Sequence, residues 1–171
     1  MFGKLAKTGM LLVPVVLLVA GCIEEDSITI TTDGLVKFES TVTVQDDDKK
    51  FEFGQVDRFS SDVVSELQQG KWTVEQKWLS RERPYRFVLT GSGDLREVAA
   101  QTRFYALTPL ATGVYRITFT TPDAGGPLSR RRIVFAADPP DKVAKVHNSH
   151  GERITRIENA PPNFNCTIVL R

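Results

Sequence analysis

The sequence predicts an α+β fold, with a mainly antiparallel, curved or twisted β-sheet and two short helices packed on one side of it. Three observations predict this fold: segments in which apolar and polar residues alternate, two short apolar stripes at helical spacing, and turn-forming residues between them. The chain has 171 residues, and the 150 that remain beyond the first 21 suffice for one domain with a core but are few for two.

The first hairpin is predicted from alternation on both sides of a turn signal. Residues 27–32 alternate, Asp33-Gly34 is a frequent hairpin turn, and the alternation resumes through residue 45. One face of the two strands would therefore be buried and the other exposed. The apolar positions on the buried face are Ile28, Ile30, Val36, Phe38, Val42 and Val44.

The first helix is predicted to begin at Ser60-Ser61-Asp62, whose side chains can accept hydrogen bonds from the free N–H groups of a first helical turn. Val63, Val64 and Leu67 would form its apolar stripe, and Gly70 is a suitable end.

A second hairpin is predicted after this helix. Trp72, Val74 and Trp78 share one face of its first strand, residues 81–84 would form the turn, and residues 85–90 would form the returning strand.

A second helix is predicted near Asp94. Gly91-Ser92-Gly93 precedes it and is interpreted as a plain turn, because it lacks the third glycine of a dinucleotide loop and the lysine of a phosphate loop. The inner face of the helix would be formed by Leu95, Val98 and Ala99.

The rest of the chain is predicted to be mostly β. Turn-forming residues separate five segments, of which the third and fourth are shorter candidates. The predicted strands are residues 114–121, 131–137, 142–146, 153–158 and 165–170.

The first 21 residues have the organisation of a secretion signal. Lys4 and Lys7 form a short positive region, and residues 10–20 form an apolar run interrupted by Pro14. This run is shorter than the roughly 20 apolar residues that a membrane-spanning helix needs. The alternatives, an uncleaved membrane anchor and an ordinary signal followed by a chance cysteine, are less favoured.

Val19-Ala20-Gly21-Cys22 resembles the lipobox of bacterial lipoproteins, with Val19, Ala20 and Gly21 recognised by the signal peptidase. The resemblance implies cleavage before Cys22 and acyl chains, such as palmitate, on that residue. Two or three such chains form a stable membrane anchor. The expected organisation is a removed signal peptide at 1–21, a lipidated end with a short tether at 22–26, and one α+β globular domain at 27–171.

The position after the cysteine bears on localisation. Ile23 stands where an aspartate commonly retains lipoproteins in the inner membrane. The resemblance therefore implies a lipid-anchored protein of the cell envelope that faces the periplasm or the exterior. The outer membrane is favoured if the host is Gram-negative.

The charge balance argues against nucleic acid as a partner. The chain has 22 basic and 21 acidic residues, and removal of the first 21 residues takes away Lys4 and Lys7 only, which leaves 20 against 21. A nearly neutral domain has no overall field that would attract a polyanion.

Cys166 would have no partner once Cys22 carries lipid. The alternation of residues 164–170 places it on the apolar face with Phe164, Ile168 and Leu170. It is therefore interpreted as a buried structural thiol.

Two motifs could bind a metal. His147 and His150 are the two histidines of the chain, with Glu152 close by, and could hold zinc or copper, but Asn148, Ser149 and Gly151 favour a solvated turn. Residues 46–48 are three consecutive aspartates without the spacing of an EF-hand loop, and they are interpreted as a charged hairpin end. No metal and no cofactor is expected.

Two groups of arginines could form an anion-binding patch. The residues are Arg130, Arg131 and Arg132, together with Arg81, Arg83 and Arg86. Phosphorylated glycans or anionic headgroups are the ligands that such a patch would bind, although arginines also point outward from many strands.

A second resemblance concerns the mature chain. The lipidated cysteine, the Ile28-Thr29-Ile30 segment, Asp33-Gly34 and the long strand that follows resemble envelope lipoproteins of the LppM type, as do residues 142–154 more loosely. Many relatives carry a C-terminal transmembrane segment, whereas this chain ends at Arg171. The resemblance implies a curved antiparallel sheet with helices on one face and no catalytic residue.

The expected function is a non-catalytic binding or scaffold module of the cell envelope, with an envelope protein as a possible partner. One alternative is a carrier or sensor of a small apolar ligand, with a cavity lined by Phe38, Trp72, Trp78 or Phe119. Another is an envelope hydrolase or metal protein that uses His147 and His150.

Overall fold

A computed structural model describes residues 21–45, 51–120, 130–135, 144–161 and 163–170. These residues form two β-sheets and one α-helix. In chain order the elements are β1 (Gly21–Ile30), β2 (Leu35–Gln45), α1 (Phe53–Gln69), β3 (Thr73–Ser80), β4 (Tyr85–Asp94), β5 (Tyr105–Ala111), β6 (Val114–Thr120), β7 (Arg130–Phe135), β8 (Lys145–His147), β9 (Arg156–Ile157) and β10 (Asn163–Val169).

The larger sheet has the strand order β3-β4-β2-β1-β7-β9. Its neighbours are antiparallel except β1 and β7, which are parallel. The predicted hairpin is confirmed: Ile28 pairs with Phe38, and Gly34 has the positive φ, 93°, that the turn requires. Strand β1 begins six residues earlier than predicted, so residues 24–26 are part of the sheet and do not form a free tether.

The smaller sheet has the order β5-β6-β10-β8 and is antiparallel. Of its strands, β6, β8 and β10 were predicted, with bounds that differ by a few residues. Strand β5 was not predicted, because Pro109 interrupts the alternation of apolar and polar residues in this segment. In the structure, the pairing of β5 with β6 is irregular between Pro109 and Ala111, as at a β-bulge. The buried residues of this sheet include Leu107, Ile117, Cys166 and Val146, which share its inner face.

Helix α1 begins earlier than the sequence analysis placed it. Glu52 is its N-cap, and Glu52 and Gln55 form a capping box, in which each side chain accepts a hydrogen bond from the backbone of the other. Ser60 therefore lies inside the helix, where its hydroxyl donates to the carbonyl oxygen of Asp57 at 2.9 Å. The predicted end is confirmed, since Gly70 follows the last helical residue.

The prediction of a second helix is wrong, because residues 95–100 form turns and bends. The N–H of Val98 does bond to the carbonyl oxygen of Asp94 at 3.0 Å, as in a first helical turn. The next N–H, that of Ala99, instead bonds to the carbonyl oxygen of Gly70 at 2.9 Å, which ends the helical pattern after one turn. Leu95 and Val98 are nevertheless buried. Within the described residues the fold is therefore mainly β, with one helix.

The Gly91-Ser92-Gly93 segment is part of β4 and is not a turn. A Cβ at Gly91 would lie 2.5 Å from the ring of Phe38, and one at Gly93 would lie 2.8 Å from the ring of Trp72. The glycines therefore leave the space into which these two aromatic rings pack, which periodicity alone did not indicate.

The core contains buried residues from both sheets and from α1. The side chains of Val56, Val63 and Leu67 are buried on the helix face that packs over β3 and β4. Trp72, just before β3, contacts Tyr105 of β5 with ring centroids 5.9 Å apart, which connects the two sheets. Of the part of the chain that the structure describes, no helix has the length and apolar character to cross a membrane.

Candidate functional site

Cys22, the predicted lipidation site, is the second residue of β1 and pairs with Val44 of β2. Val19 and Ala20 lie outside the described residues, whereas Gly21 begins the strand. The unmodified thiol is partly buried, and burial, with a smaller contribution from Glu24, raises its pKa to about 11. The cysteine therefore stands at the beginning of the described fold, and its free thiol would be a weak nucleophile at neutral pH.

Next to Cys22 on the inner face of β1 lies a cluster of charged residues that the sequence analysis did not identify. Nε of Arg131 on β7 donates to Oδ2 of Asp26 at 2.7 Å and lies 3.3 Å from Oε2 of Glu24. The guanidinium also lies over the ring of Phe119, 5.6 Å from its centroid. The side chain of Asp26 is 5% exposed and that of Arg131 is 18% exposed. We call Glu24, Asp26 and Arg131 the ion cluster.

Burial raises the pKa of Glu24, and this effect, reinforced by the Asp26 carboxylate, outweighs the attraction of Arg131. Burial lowers the pKa of Arg131, but the attraction of Asp26 and Glu24 more than compensates, so that pKa is also raised. The cluster therefore holds a cation against the smaller sheet, between β1 and β7.

The arginines predicted to form an anion patch do not point in one direction. Arg131 points inward to the ion cluster, whereas Arg130 and Arg132 are exposed on the opposite face of β7. Nε of Arg132 donates to Glu158 at 3.1 Å.

The second group of arginines lies apart from the first. Arg81 and Arg83 are in the turn between β3 and β4, where Arg83 donates to the carbonyl oxygen of Phe51, and Arg86 is on β4. Strands β2 and β1 separate β4 from β7, so the six arginines do not form a single site.

Cys166 lies at the centre of β10, 1% exposed, on the inner face with Phe164 and Ile168. Burial raises the pKa of its thiol to about 12. The interpretation of Cys166 as a buried structural residue is confirmed. A thiol with this pKa is almost entirely protonated at neutral pH and is a poor nucleophile.

His147 and His150 differ in their surroundings. His147 is on β8, opposite Thr167 of β10. His150 is exposed in a turn, where its backbone N–H donates a hydrogen bond to Oδ1 of Asn148 at 3.0 Å. The predicted turn is confirmed by the 3.0 Å bond from the N–H of Gly151 to the carbonyl oxygen of Asn148. No group of three potential metal ligands was found among the described residues. The aspartates at 46–48 lie outside them.

A surface pocket of about 530 Å³ lies at the other end of β1 from Cys22. Its lining includes Asp33, Arg96, Tyr115 and Leu170. The Arg96 guanidinium and backbone N–H both donate to Asp94, which lowers the pKa of that carboxyl to about 2. The hydroxyl of Thr31 donates to Asp33 and lowers its pKa.

The four side chains considered in the sequence analysis as the lining of an apolar cavity pack against other aromatic rings of the described chain. Phe38 packs edge-on against Trp72 with centroids 5.7 Å apart, and Trp78 packs against Phe87 at 5.2 Å. Phe119 stacks on Phe164 at 4.6 Å. Trp72 is buried, the other three rings are partly buried and pack against the core, and none of the four residues lines the described pocket. The packing argues against a ligand cavity at these positions.

Comparisons with known proteins found little similarity. No protein-family model matches the chain, and no curated protein matches it. Among solved structures, the folded domain of the LppM protein of Mycobacterium tuberculosis, solved by NMR, is similar over 88% of this chain and 91% of that chain. The sequence identity is 12% and the TM-score is 0.43. Values this low assign no activity or ligand to this chain, so the resemblance to the LppM type stays a prediction.

Proposed function

We propose that this chain is a bacterial lipoprotein of the cell envelope, anchored through acyl chains on Cys22, and that it is a non-catalytic binding or scaffold module. The observation that carries the proposal is the position of the lipobox relative to the fold. Strand β1 begins at Gly21, so cleavage before Cys22 would remove one described residue. The cysteine that the lipobox identifies thus lies within β1, paired with Val44 of β2, so the proposed anchor would be attached directly to the sheet.

The same position determines how the domain would meet the membrane. With β1 beginning next to Cys22, no free segment separates the acyl chains from the sheet. Strand β1 has 10 residues and spans about 30 Å at the usual rise of a strand. The turn at Asp33 and the surface pocket would therefore lie at the end of the domain away from the bilayer. With Ile23 after the cysteine, the outer membrane is the favoured location in a Gram-negative host.

The arrangement of Cys166 and the histidines supports a non-catalytic role. Cys166 points to the inner face of the smaller sheet, whereas His147, which follows the buried Val146 on β8, points to the outer face. The sheet therefore separates the thiol from the imidazole. A cysteine nucleophile needs a base within hydrogen-bond distance, so this pair cannot act together.

The anchor is tested by comparing the full chain with its Cys22→Ser and Cys166→Ala variants in a bacterium that processes lipoproteins. Cells are grown with an alkyne-tagged palmitate, and the protein is purified and examined for tag and for removal of the first 21 residues. We expect the wild type and Cys166→Ala to carry the tag and to be cleaved, and Cys22→Ser to be untagged and uncleaved. Cys166→Ala is the matched control, because it removes the other cysteine.

A tag on the Cys22→Ser variant, or an untagged wild type, would show that the lipobox interpretation is wrong. The non-catalytic role is a separate statement. Turnover of a substrate by the purified wild type that is lost on replacement of His147 would contradict that role and leave the anchor unaffected.

A further inference from the structure

The smaller sheet differs from the larger one in having no acidic residue in its strands. None of the residues in β5, β6, β8 and β10 is acidic, whereas the larger sheet contains several carboxylates, including Glu24, Asp26 and Asp94. The strands of the larger sheet therefore mix acidic and basic side chains, whereas those of the smaller sheet carry basic side chains alone. The basic side chains of the smaller sheet are Arg116, Lys145 and His147.

These side chains share the outer face of the sheet. Ile117, Cys166 and Val146 are buried on the inner face, so their neighbours along each strand point outward. Arg153 pairs with His147 in an isolated bridge and extends the same face. We call Arg116, Lys145, His147 and Arg153 the basic sheet face.

Strand register places most of these residues in one row. Arg116 pairs with Thr167, and Thr167 pairs with His147. Since neighbouring strands lie about 4.8 Å apart, Arg116 and His147 are separated by about 10 Å, with the Thr167 hydroxyl between them. Thr108 of β5 continues the row on the other side of Arg116. The row therefore places Arg116 between two threonine hydroxyl groups and continues through His147 to Arg153.

The cations of this face are not neutralised by the described part of the chain. Arg96, Arg103 and Arg132 each pair with a carboxylate, whereas no ion pair within the described residues involves Arg116, Lys145 or Arg153. Glu152, the acid next to Arg153 in the sequence, accepts a hydrogen bond from Asn148 at 2.9 Å. Arg116 and Arg153 are exposed. Arg116 and Arg153 thus provide exposed positive charges that are available to a partner, with the half-buried Lys145 beside them.

The neutral groups of the face indicate the chemistry of that partner. The Thr118 hydroxyl donates to the exposed Asn165 side chain at 2.6 Å, and Thr108 and Thr167 add further hydroxyl groups. Apart from the imidazole of His147, the row has no aromatic side chain, so it lacks a platform of large rings on which successive bases could stack. A protein partner would require large aromatic or apolar anchors, whereas the apolar side chains beside Lys145 on this face are the small, part-buried Val114 and Val169. Cations mixed with hydroxyl and amide groups match a polymer that carries carboxylates and hydroxyls.

We propose that the basic sheet face binds an anionic polysaccharide whose carboxylates pair with Arg116, Lys145 and Arg153. The inference rests on the proposed binding role and names its ligand class. It does not depend on lipid attachment. An untagged wild type in the palmitate experiment would overturn the anchor alone, and a wild type that fails to bind the polymer would overturn this inference alone.

The experiment measures binding of the full chain, in a nonionic detergent, to polygalacturonate, with neutral dextran as the uncharged comparison. We expect binding to polygalacturonate that weakens as salt is added, and none to dextran. The Arg116→Glu, Lys145→Glu double variant should lower the affinity roughly tenfold or more, because two attractive contacts become repulsive. The Lys37→Glu, Lys77→Glu variant is the matched control, since both lysines are exposed on the larger sheet.

The control variant makes the same change in net charge, so we expect it to change the affinity by less than about threefold. Equal losses in the two double variants would show a general charge effect and overturn the assignment to this face. Poly-glutamate provides the remaining comparison, because it has carboxylates without sugar hydroxyls. If it binds as tightly as polygalacturonate at equal charge, the assignment to a polysaccharide is wrong.

Discussion

The indole N–H of Trp72 donates a hydrogen bond of 2.7 Å to the hydroxyl of Tyr105, which in turn donates to the carbonyl oxygen of Ala99 at 2.8 Å. Trp72 and Tyr105 are both buried, and they precede β3 and begin β5, respectively. One hydroxyl therefore satisfies a donor and an acceptor at the place where the two sheets meet.

Tyr105→Phe should lower the free energy of unfolding by about 2 kcal/mol, because it leaves a buried N–H and a nearby carbonyl oxygen without partners. Urea denaturation followed by tryptophan fluorescence measures the change. The control is Tyr115→Phe, whose hydroxyl makes no hydrogen bond within the described residues, and its effect should stay within about 0.5 kcal/mol. Similar losses in both variants would contradict the bridging role of Tyr105.

Two glycine substitutions should have opposite effects on stability. A Cβ at Gly93 would lie 2.7 Å from Val98 and 2.8 Å from the ring of Trp72, which is held by Tyr105 and cannot easily move. Gly93→Ala should therefore lower the free energy of unfolding by about 1–3 kcal/mol through overpacking. Gly54, near the start of α1, has nothing within 4 Å of such a Cβ. Gly54→Ala should raise stability by up to about 1 kcal/mol.

Thermal unfolding of both variants tests the pair. A Gly93→Ala protein as stable as the wild type would show that the Trp72 ring can move away. Gly91-Ser92-Gly93 was interpreted as a plain turn, because it lacks the residues of a dinucleotide or phosphate loop. What they do in the fold depends on rings from distant positions, and no local pattern contains that information.

Elements that depend on interactions between residues close in the sequence were predicted correctly, whereas those that depend on distant residues were not. The hairpin of β1 and β2 was predicted because alternation and the Asp33-Gly34 turn are local. The start of α1 was missed because Ser60-Ser61-Asp62 is as good a cap as Glu52 with Gln55, and packing of Val56 on the sheet decides between them. The second helix failed because one backbone bond to Gly70 ends it.

The same distinction applies to the candidate site residues, because burial within one strand was predictable and contacts between strands were not. Burial of Cys166 followed from alternation within one strand. The direction of each arginine in residues 130–132 required the strand register, and the contact of Arg131 with Asp26 joins residues 105 positions apart. The missing acids of the smaller sheet could have been noticed in the sequence, but only strand pairing brings Arg116 and His147 into one row.

Arg131→Leu should lower the free energy of unfolding by about 3 kcal/mol, because it leaves the buried Asp26 carboxylate and the neighbouring Glu24 without their cation. Arg132→Leu is the matched control one residue away. Its pair with Glu158 is exposed, so its loss should be no more than about 1 kcal/mol. Urea denaturation of the two variants at the same pH and salt concentration measures both values. A larger loss for Arg132→Leu would mean that the assigned direction of these side chains is wrong.

Glu24 should make the wild type less stable as the pH rises. Its pKa is raised above 4.5 in the folded protein, mainly by burial. Between the unfolded and the folded pKa, the folded protein then binds more protons than the unfolded chain, so stability falls with increasing pH in this window and levels off above it. Glu24→Gln cannot titrate and removes this dependence.

The free energy of unfolding of the wild type minus that of Glu24→Gln should therefore decrease from pH 4 upward. Urea denaturation at a series of pH values measures the difference, and NMR titration of the Glu24 carboxyl should give a midpoint above 4.5. A difference that increases with pH would mean that Arg131 outweighs burial and that the pKa of Glu24 is lowered.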